Sequence, residues 1–252
     1  MKFLTKRCLQ MSKKIIQKIL GVTLILLIDI LIHFCLSTYS QITSLFHPYL
    51  RDILIQLTMF ISGLCLYLLF TKGHIKDIGF HRSDYLPIKR SFYFIFLWMV
   101  IALTLAYVIV YFFDQTTWNM LTQQSPSTLI DFVISILKTG ILPGISEETL
   151  YRGALLMLFL YHPWKNQNTP SKTYHFFLIV LSATIFTLAH LNHTFFPWKI
   201  SYDRYQLFTS FALGAIQSHY FIKTRNLIIP IIIHNAWNIL SFLMFQLLLI
   251  LF

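Results

Sequence analysis

Apolar positions dominate the chain in long runs, separated by short polar or charged segments. The runs lie near Ile19–Leu36, Ile53–Phe70, Ser91–Phe113, Leu129–Leu160, Tyr174–Phe195, Leu207–Ile222 and Leu227–Phe252. Coiled as helices at ~1.5 Å per residue, such runs cross a hydrocarbon core of ~30 Å. The pattern predicts an all-α fold, a polytopic membrane helical bundle of about seven (six to eight) transmembrane helices. No internal repeat, low-complexity tract or long Gly/Ser linker interrupts it, so residues 1–252 are expected to form a single membrane domain.

Composition supports a bilayer rather than water as the solvent. Apolar residues make up 56% of the chain, charged residues only 12% and aromatic residues 17%. A net charge of +11 raises the question of nucleic acid, but the 20 Lys and Arg fall in short segments between apolar runs and form no amphipathic stripe. They read as topology signals, and no nucleic-acid partner is expected. Lys2, Lys6, Arg7, Lys13, Lys14 and Lys18 precede the first run, and no small-x-small cleavage site follows it. This predicts an uncleaved first span with a cytoplasmic N-terminus, in a multi-pass protein of the cell membrane. Lys72, Lys76, Arg82, Lys89 and Arg90 put the segment Thr71–Arg90 inside, and the segment Asp114–Thr128, without Lys or Arg, falls outside. Lys165, Lys172, Lys223 and Arg225 keep the alternation, and Lys199 and Arg204 run against it. Cys8, Cys35 and Cys65 show neither paired metal spacing nor an even disulfide count, and read as small buried or lipid-facing residues.

Against this background three polar clusters within apolar runs stand out. The fourth run carries the only two glutamates, Glu147 and Glu148, with Arg152 one turn later. Glu148 and Arg152, four apart, share a helix face and can pair. Glu147 points about 100° away and has no sequence-local partner. Pro143 lacks an N–H and is expected to kink the helix, freeing the carbonyl of Thr139, while Gly144 gives a partner close access. Irregular backbone at that depth implies a cavity. Phe186 and His190 fall in the fifth run, and His234 and Asn238 in the last. Glu148 with Arg152 can serve simply to lock helices, and a lone histidine in a span is more often a hydrogen-bonded core residue. Together with Glu147 the histidines read as one site.

The three elements resemble the CAAX protease and bacteriocin-processing (CPBP, Abi) family of intramembrane endopeptidases. Glu147, Glu148 and Arg152 are similar to its EExxxR motif, Phe186 and His190 to FxxxH, and His234 and Asn238 to HxxxN. The resemblance spans residues 129–240, a catalytic core, and the first 128 residues add only a similar span pattern. It implies a hydrolase acting on peptide bonds, with Glu147, Glu148, Arg152, His190, His234 and Asn238 as site residues. Amide hydrolysis needs an activated water, donors for the tetrahedral oxyanion and an acid for the leaving amine. In this reading Glu147 and His190 hold the water, His234 and Asn238 face the oxyanion, and Arg152 keeps Glu148 ionised. No cofactor is expected from a glutamate-activated water. The alternative is Zn²⁺ held by Glu147, His190 and His234, one carboxylate and two imidazoles with an open position, although no HExxH is present. His193 is either an added ligand or the external end of its helix.

Counting along the spans places His190 about 10 Å further towards the outside than Glu147 and His234. Asp29 and His33, four apart in the first span, either line the cavity or a substrate path or form a local hydrogen bond; Asp131 and Lys138 read as one interfacial and one snorkelling residue, His219 lies near a helix end, and none enters the expected site. The expected substrate is a peptide or membrane protein at the bilayer, cleaved in bacteriocin or peptide maturation or in self-immunity, and the short loops look like the family's bacterial branch. The rival readings are a non-enzymatic immunity or scaffold protein and a small proton-coupled transporter. A transporter favours repeated halves with matching broken helices, which the sequence lacks.

Overall fold

The computed structural model describes residues 2–42, 48–74, 89–123, 125–165, 171–195 and 198–251. Lys76 and Arg82, and the side chains of Lys2, Lys6, Arg7, Cys8, Lys13, Lys14, Lys89, Arg90, Lys165 and His193, lie outside the described residues. The helices are α1 (Lys2–Ile42), α2 (Pro48–Phe70), α3 (Lys89–Phe113), α4 (Gln115–Gln123), α5 (Leu129–Ser135), α6 (Leu142–Glu148), α7 (Leu155–Lys165), α8 (Lys172–Leu188), α9 (Arg204–Thr224) and α10 (Ile228–Leu251). The chain is an all-α multi-pass membrane bundle.

Among the described residues five helical stretches are long and apolar enough to cross a membrane: Ile15–Cys35, Leu50–Phe70, Tyr93–Phe113, Leu129–His162 and Ile228–Leu251. The other two expected spans differ for physical reasons. Helix α8 has 17 residues and ends at Leu188 rather than running to Phe195. There the polar step Asn192-His193-Thr194 replaces the apolar run, and Asn192–Phe195 (β1) pairs antiparallel with Trp198–Ser201 (β2). Helix α9 is long, but Gln206, Ser210, Gln217 and Ser218 dilute its apolar character.

The fourth span is one continuous helical path broken twice. Thr128 caps its start by accepting from the Asp131 amide at 3.1 Å. Two π-helical turns, Ile136–Ile141 and Thr149–Ala154, separate α5 from α6 and α6 from α7. The predicted disruption before Pro143 therefore takes the form of a π turn, closed by the Leu142 amide bonding to the Leu137 carbonyl. Such turns shift the helical phase by a residue and recur at functional sites.

This broken helix is the centre of the bundle. Helix α2 packs along α6 and the second π turn, α10 along α6 and the first, and α8 against α9. Gly63 makes the α2 approach possible, because a Cβ there would stand 2.9 Å from the Leu150 amide nitrogen. One apolar cluster, with Ile25, Tyr67, Leu155, Leu156 and Phe221, fills the space among α1, α2, α7, α8 and α9. A second, with Met99, Leu103, Ile229, Ile233 and Trp237, joins α3, α9 and α10. Asp52 ties α2 to the first π turn, 3.3 Å from the Lys138 ammonium. Lys138 thus answers a carboxylate on a neighbouring helix as well as reaching towards the interface.

Candidate active site

The second π turn and α6 present Glu147, Glu148 and Arg152 at the middle of the long helical path. Glu148 and Arg152 are fully buried. Arg152 Nη1 donates to Glu148 Oε1 at 2.8 Å, which forms the expected intrahelical pair. The pair is not isolated. Arg152 Nη2 donates to Gln217 Oε1 on α9 at 2.7 Å, and the guanidinium lies 4.3 Å above the centre of the Phe186 ring. A buried guanidinium with several donors is tolerated only when acceptors and a π face surround it, and three helices supply them here.

Glu148 Oε1 also lies 2.8 Å from His234 Nδ1, six residues into α10. An ionised carboxylate only accepts, so Nδ1 carries the proton of this bond. That contact turns His234 Nε2 towards Glu147, whose Oε2 is 3.9 Å away, beyond hydrogen-bond range. Glu147 Oε2 is buried and has no hydrogen-bond partner.

His190 follows the end of α8. Its Nδ1 lies 2.8 Å from the Phe186 carbonyl, an acceptor, so Nδ1 bears the proton and Nε2 keeps a lone pair in the neutral ring. Phe186 therefore has three contacts beyond packing. Its carbonyl fixes the His190 tautomer, its face receives Arg152, and its ring meets the rings of His190 and His234 edge-on at 4.6 and 5.8 Å.

Two adjoining cavities open from this cluster. The larger, about 370 Å³, is lined by Glu147, His190, Tyr151, Asp29 and Gln206 among others. The smaller, about 100 Å³, is lined by His190, His234, Asn238, Gln206 and Gln217. All six residues expected from the sequence thus lie in one neighbourhood, with His190 on both cavities. The expected offset between Glu147 and His190 closes because the span limits were misplaced. Helix α7 runs on to Lys165, α8 starts at Lys172 and ends at Leu188, and Glu147 and His190 come to line one cavity.

Residues 129–240 match the family model described as type II CAAX prenyl endopeptidase Rce1-like. This segment is similar to that family. The Rce1-like segment contains Glu147, Glu148, Arg152, His190, His234 and Asn238, and its family indicates a protease of the CAAX endopeptidase type acting on peptide substrate at a lipid bilayer. Neither the search of curated proteins nor that of solved structures gave a match.

Among the described residues no three His, Cys, Asp or Glu side chains gather closely enough to hold an ion, Glu147, His190 and His234 included. His190 and His234 both direct Nδ1 to acceptors, which leaves Nε2 as the free nitrogen of each ring.

Sequence reading missed several residues of this site. Gln217 gives no signal in a single sequence, because a polar residue in a weakly apolar helix has no period or motif to mark it. Asn235 lies beside His234 and accompanies the break in the fourth span. With its amide oriented to suit its neighbours, it donates to the carbonyls of Gly140 and Ile141 at 3.2 and 3.0 Å. Gly144 gives it room, since a Cβ at that position would collide with the Asn235 side chain. The close access expected at Gly144 is thus taken by a side chain that satisfies loosened backbone, which the bilayer cannot do. Asp29, set aside on sequence alone, lines the larger cavity.

Proposed function

We propose that the protein is an intramembrane endopeptidase that hydrolyses a peptide bond with a water activated between Glu147 and His190. The observation that carries this reading is the shared cavity. Glu147 and His190 line it together, Glu147 Oε2 has no hydrogen-bond partner, and His190 has its Nδ1 already committed. Glu147 takes a proton from the water while His190 Nε2 accepts the second hydrogen bond, and the oxygen attacks the scissile carbonyl carbon. The resulting oxyanion receives hydrogen bonds from the Asn238 amide and from His234 Nε2, which donates when the ring is imidazolium. Glu147 then returns its proton to the leaving amine as the C–N bond breaks. Glu148 and Arg152 position His234 and the helix and touch no reacting atom.

Residues 129–240 form the catalytic core within a single membrane domain, and no metal takes part. The peptide belongs to bacteriocin or peptide maturation, or to self-immunity, in a bacterial cell membrane with the N-terminus cytoplasmic. The short loops and the basic first segment support this part of the reading.

The test is cleavage of bilayer-associated peptides by the purified protein in lipid, read by mass spectrometry. Wild type is expected to cleave, and Glu147→Ala, His190→Ala and His234→Ala to lose at least about a hundredfold in rate. Equal behaviour of the four folded proteins favours the scaffold, and solute flux by the reconstituted protein without cleavage favours the transporter.

A further inference from the structure

The larger cavity has a wall that the catalytic reading does not use. It comes from α1, outside the Rce1-like segment, and its polar residue is Asp29. Asp29 is 6% exposed, and its Oδ1 has no hydrogen-bond partner. The obvious partner, His33, is engaged elsewhere: its Nδ1 lies 2.9 Å from the Asp29 main-chain carbonyl and 3.7 Å from Oδ1, too far for a hydrogen bond. Tyr151, 1% exposed, borders the same cavity, and its hydroxyl also has no partner.

A carboxylate moved from water into a protein interior loses hydration worth several kcal/mol, roughly, unless a counter-charge or donors replace it. The lining groups able to act as a counter-charge are imidazoles, His33 with Nδ1 3.7 Å from Asp29 Oδ1 and His190, each charged only when protonated. The chain has 20 Lys and Arg against 9 Asp and Glu, yet two of those carboxylates, Asp29 and Glu147, line the cavity and no Lys or Arg does. The remaining polar lining, Gln56, Gln206 and the two imidazoles, offers both donors and acceptors. At about 370 Å³ the space is of ligand size and exceeds what a single water needs. Two carboxylates, the lack of any Lys or Arg in the lining and adequate volume together favour a cation.

We propose that Asp29, with Tyr151 beside it, forms an anionic subsite that receives a cationic side chain, lysine or arginine, of the peptide substrate next to the scissile bond. The proposal rests on the protease reading for its substrate, and names the chemistry that distinguishes one peptide from another. The ammonium or guanidinium donates to the Asp29 carboxylate, and the apolar stem of the side chain lies against Ile30 and Met59 of the same wall. Glu147 stays available to the water.

The test uses the full chain in phosphatidylcholine nanodiscs, whose neutral lipid removes surface attraction. The probes are fluorescent hydrophobic peptides, each with one lysine at a different position, and their norleucine counterpart of matching shape. Binding is read by anisotropy and cleavage by mass spectrometry. Wild type is expected to bind the peptide with the best-placed lysine at least about tenfold more tightly than the norleucine peptide, the scale of a charge-assisted hydrogen bond. In Asp29→Asn that preference falls to about twofold or less, and Asp29→Glu retains part of it. Equal binding of all probes by wild type overturns the subsite and needs no variant. A lysine preference that survives in folded Asp29→Asn overturns it as well. A lysine preference without cleavage of any peptide leaves the subsite standing and sinks the protease reading, whereas cleavage without preference does the reverse.

Discussion

Glu148 Oε1 stands 2.8 Å from both Arg152 Nη1 and His234 Nδ1, so one buried oxygen joins the broken fourth span to α10. Arg152 in turn reaches Gln217 on α9 and the Phe186 ring on α8. The adjacent glutamates therefore have different surroundings. Glu148 is held by two partners, and Glu147 faces the cavity.

Substituting the two glutamates separately is expected to give different defects. Glu147→Gln abolishes cleavage, by at least about a hundredfold, and leaves stability within about 1 kcal/mol because no hydrogen bond to its Oε2 is lost. Glu148→Gln leaves Arg152 buried without its carboxylate and costs about 3–5 kcal/mol of stability in addition to activity. Thermal unfolding in micelles, with peptide cleavage beside it, separates the two, and equal stability loss in both would contradict the assignment.

Gln217→Leu removes the acceptor for Arg152 Nη2 while keeping an apolar volume. The expected cost is about 1–3 kcal/mol, the scale for leaving a buried donor unpaired. Cleavage falls less than in Glu148→Gln, since the Arg152–Glu148–His234 chain persists. An unchanged melting temperature would show that Gln217 is not needed to hold the guanidinium.

Gly144→Ala forces Asn235 away from the carbonyls of Gly140 and Ile141 and displaces its neighbour His234. Overpacking at such a contact costs roughly 1–3 kcal/mol, and cleavage is expected to fall with it. Restoration of cleavage by adding Asn235→Ala, which removes the collision, checks the account, and failure of the double variant to recover any activity counts against it.

Incubation with a chelator is expected to leave cleavage unchanged, because Glu147, His190 and His234 are not gathered as ligands of one ion. Activity lost on chelation and restored by Zn²⁺ would overturn this expectation and assign those residues to a metal.

Much of the fold follows from local chemistry and was legible along the chain. Runs such as Ile53–Phe70 and Ser91–Phe113 contain almost nothing that must be hydrated, so a bilayer and a helix are the only economical solution for them. The Glu148–Arg152 pair was legible for the same reason, since four residues fix a helical neighbour. The end of α8 was not legible, because apolar content continues past Leu188 while the polar step at Asn192 decides where the helix stops. Seven apolar runs also overstated the simplicity of α9, whose interior polar groups face partners rather than lipid.

By itself, the sequence determined which residues are costly to place in a membrane, and so marked Glu147, Glu148, Arg152, His190 and His234 before any coordinate. The tertiary structure alone decided how that cost is met. Glu148 serves Arg152 and His234 together, Gln217 and Phe186 complete the guanidinium's surroundings, and Asp29 enters the cavity from a helix more than a hundred residues away in sequence. Hydrophobic pattern reports burial, which is a property of each position. Hydrogen bonds between helices depend on crossing points and rotations set by packing, which no single run encodes.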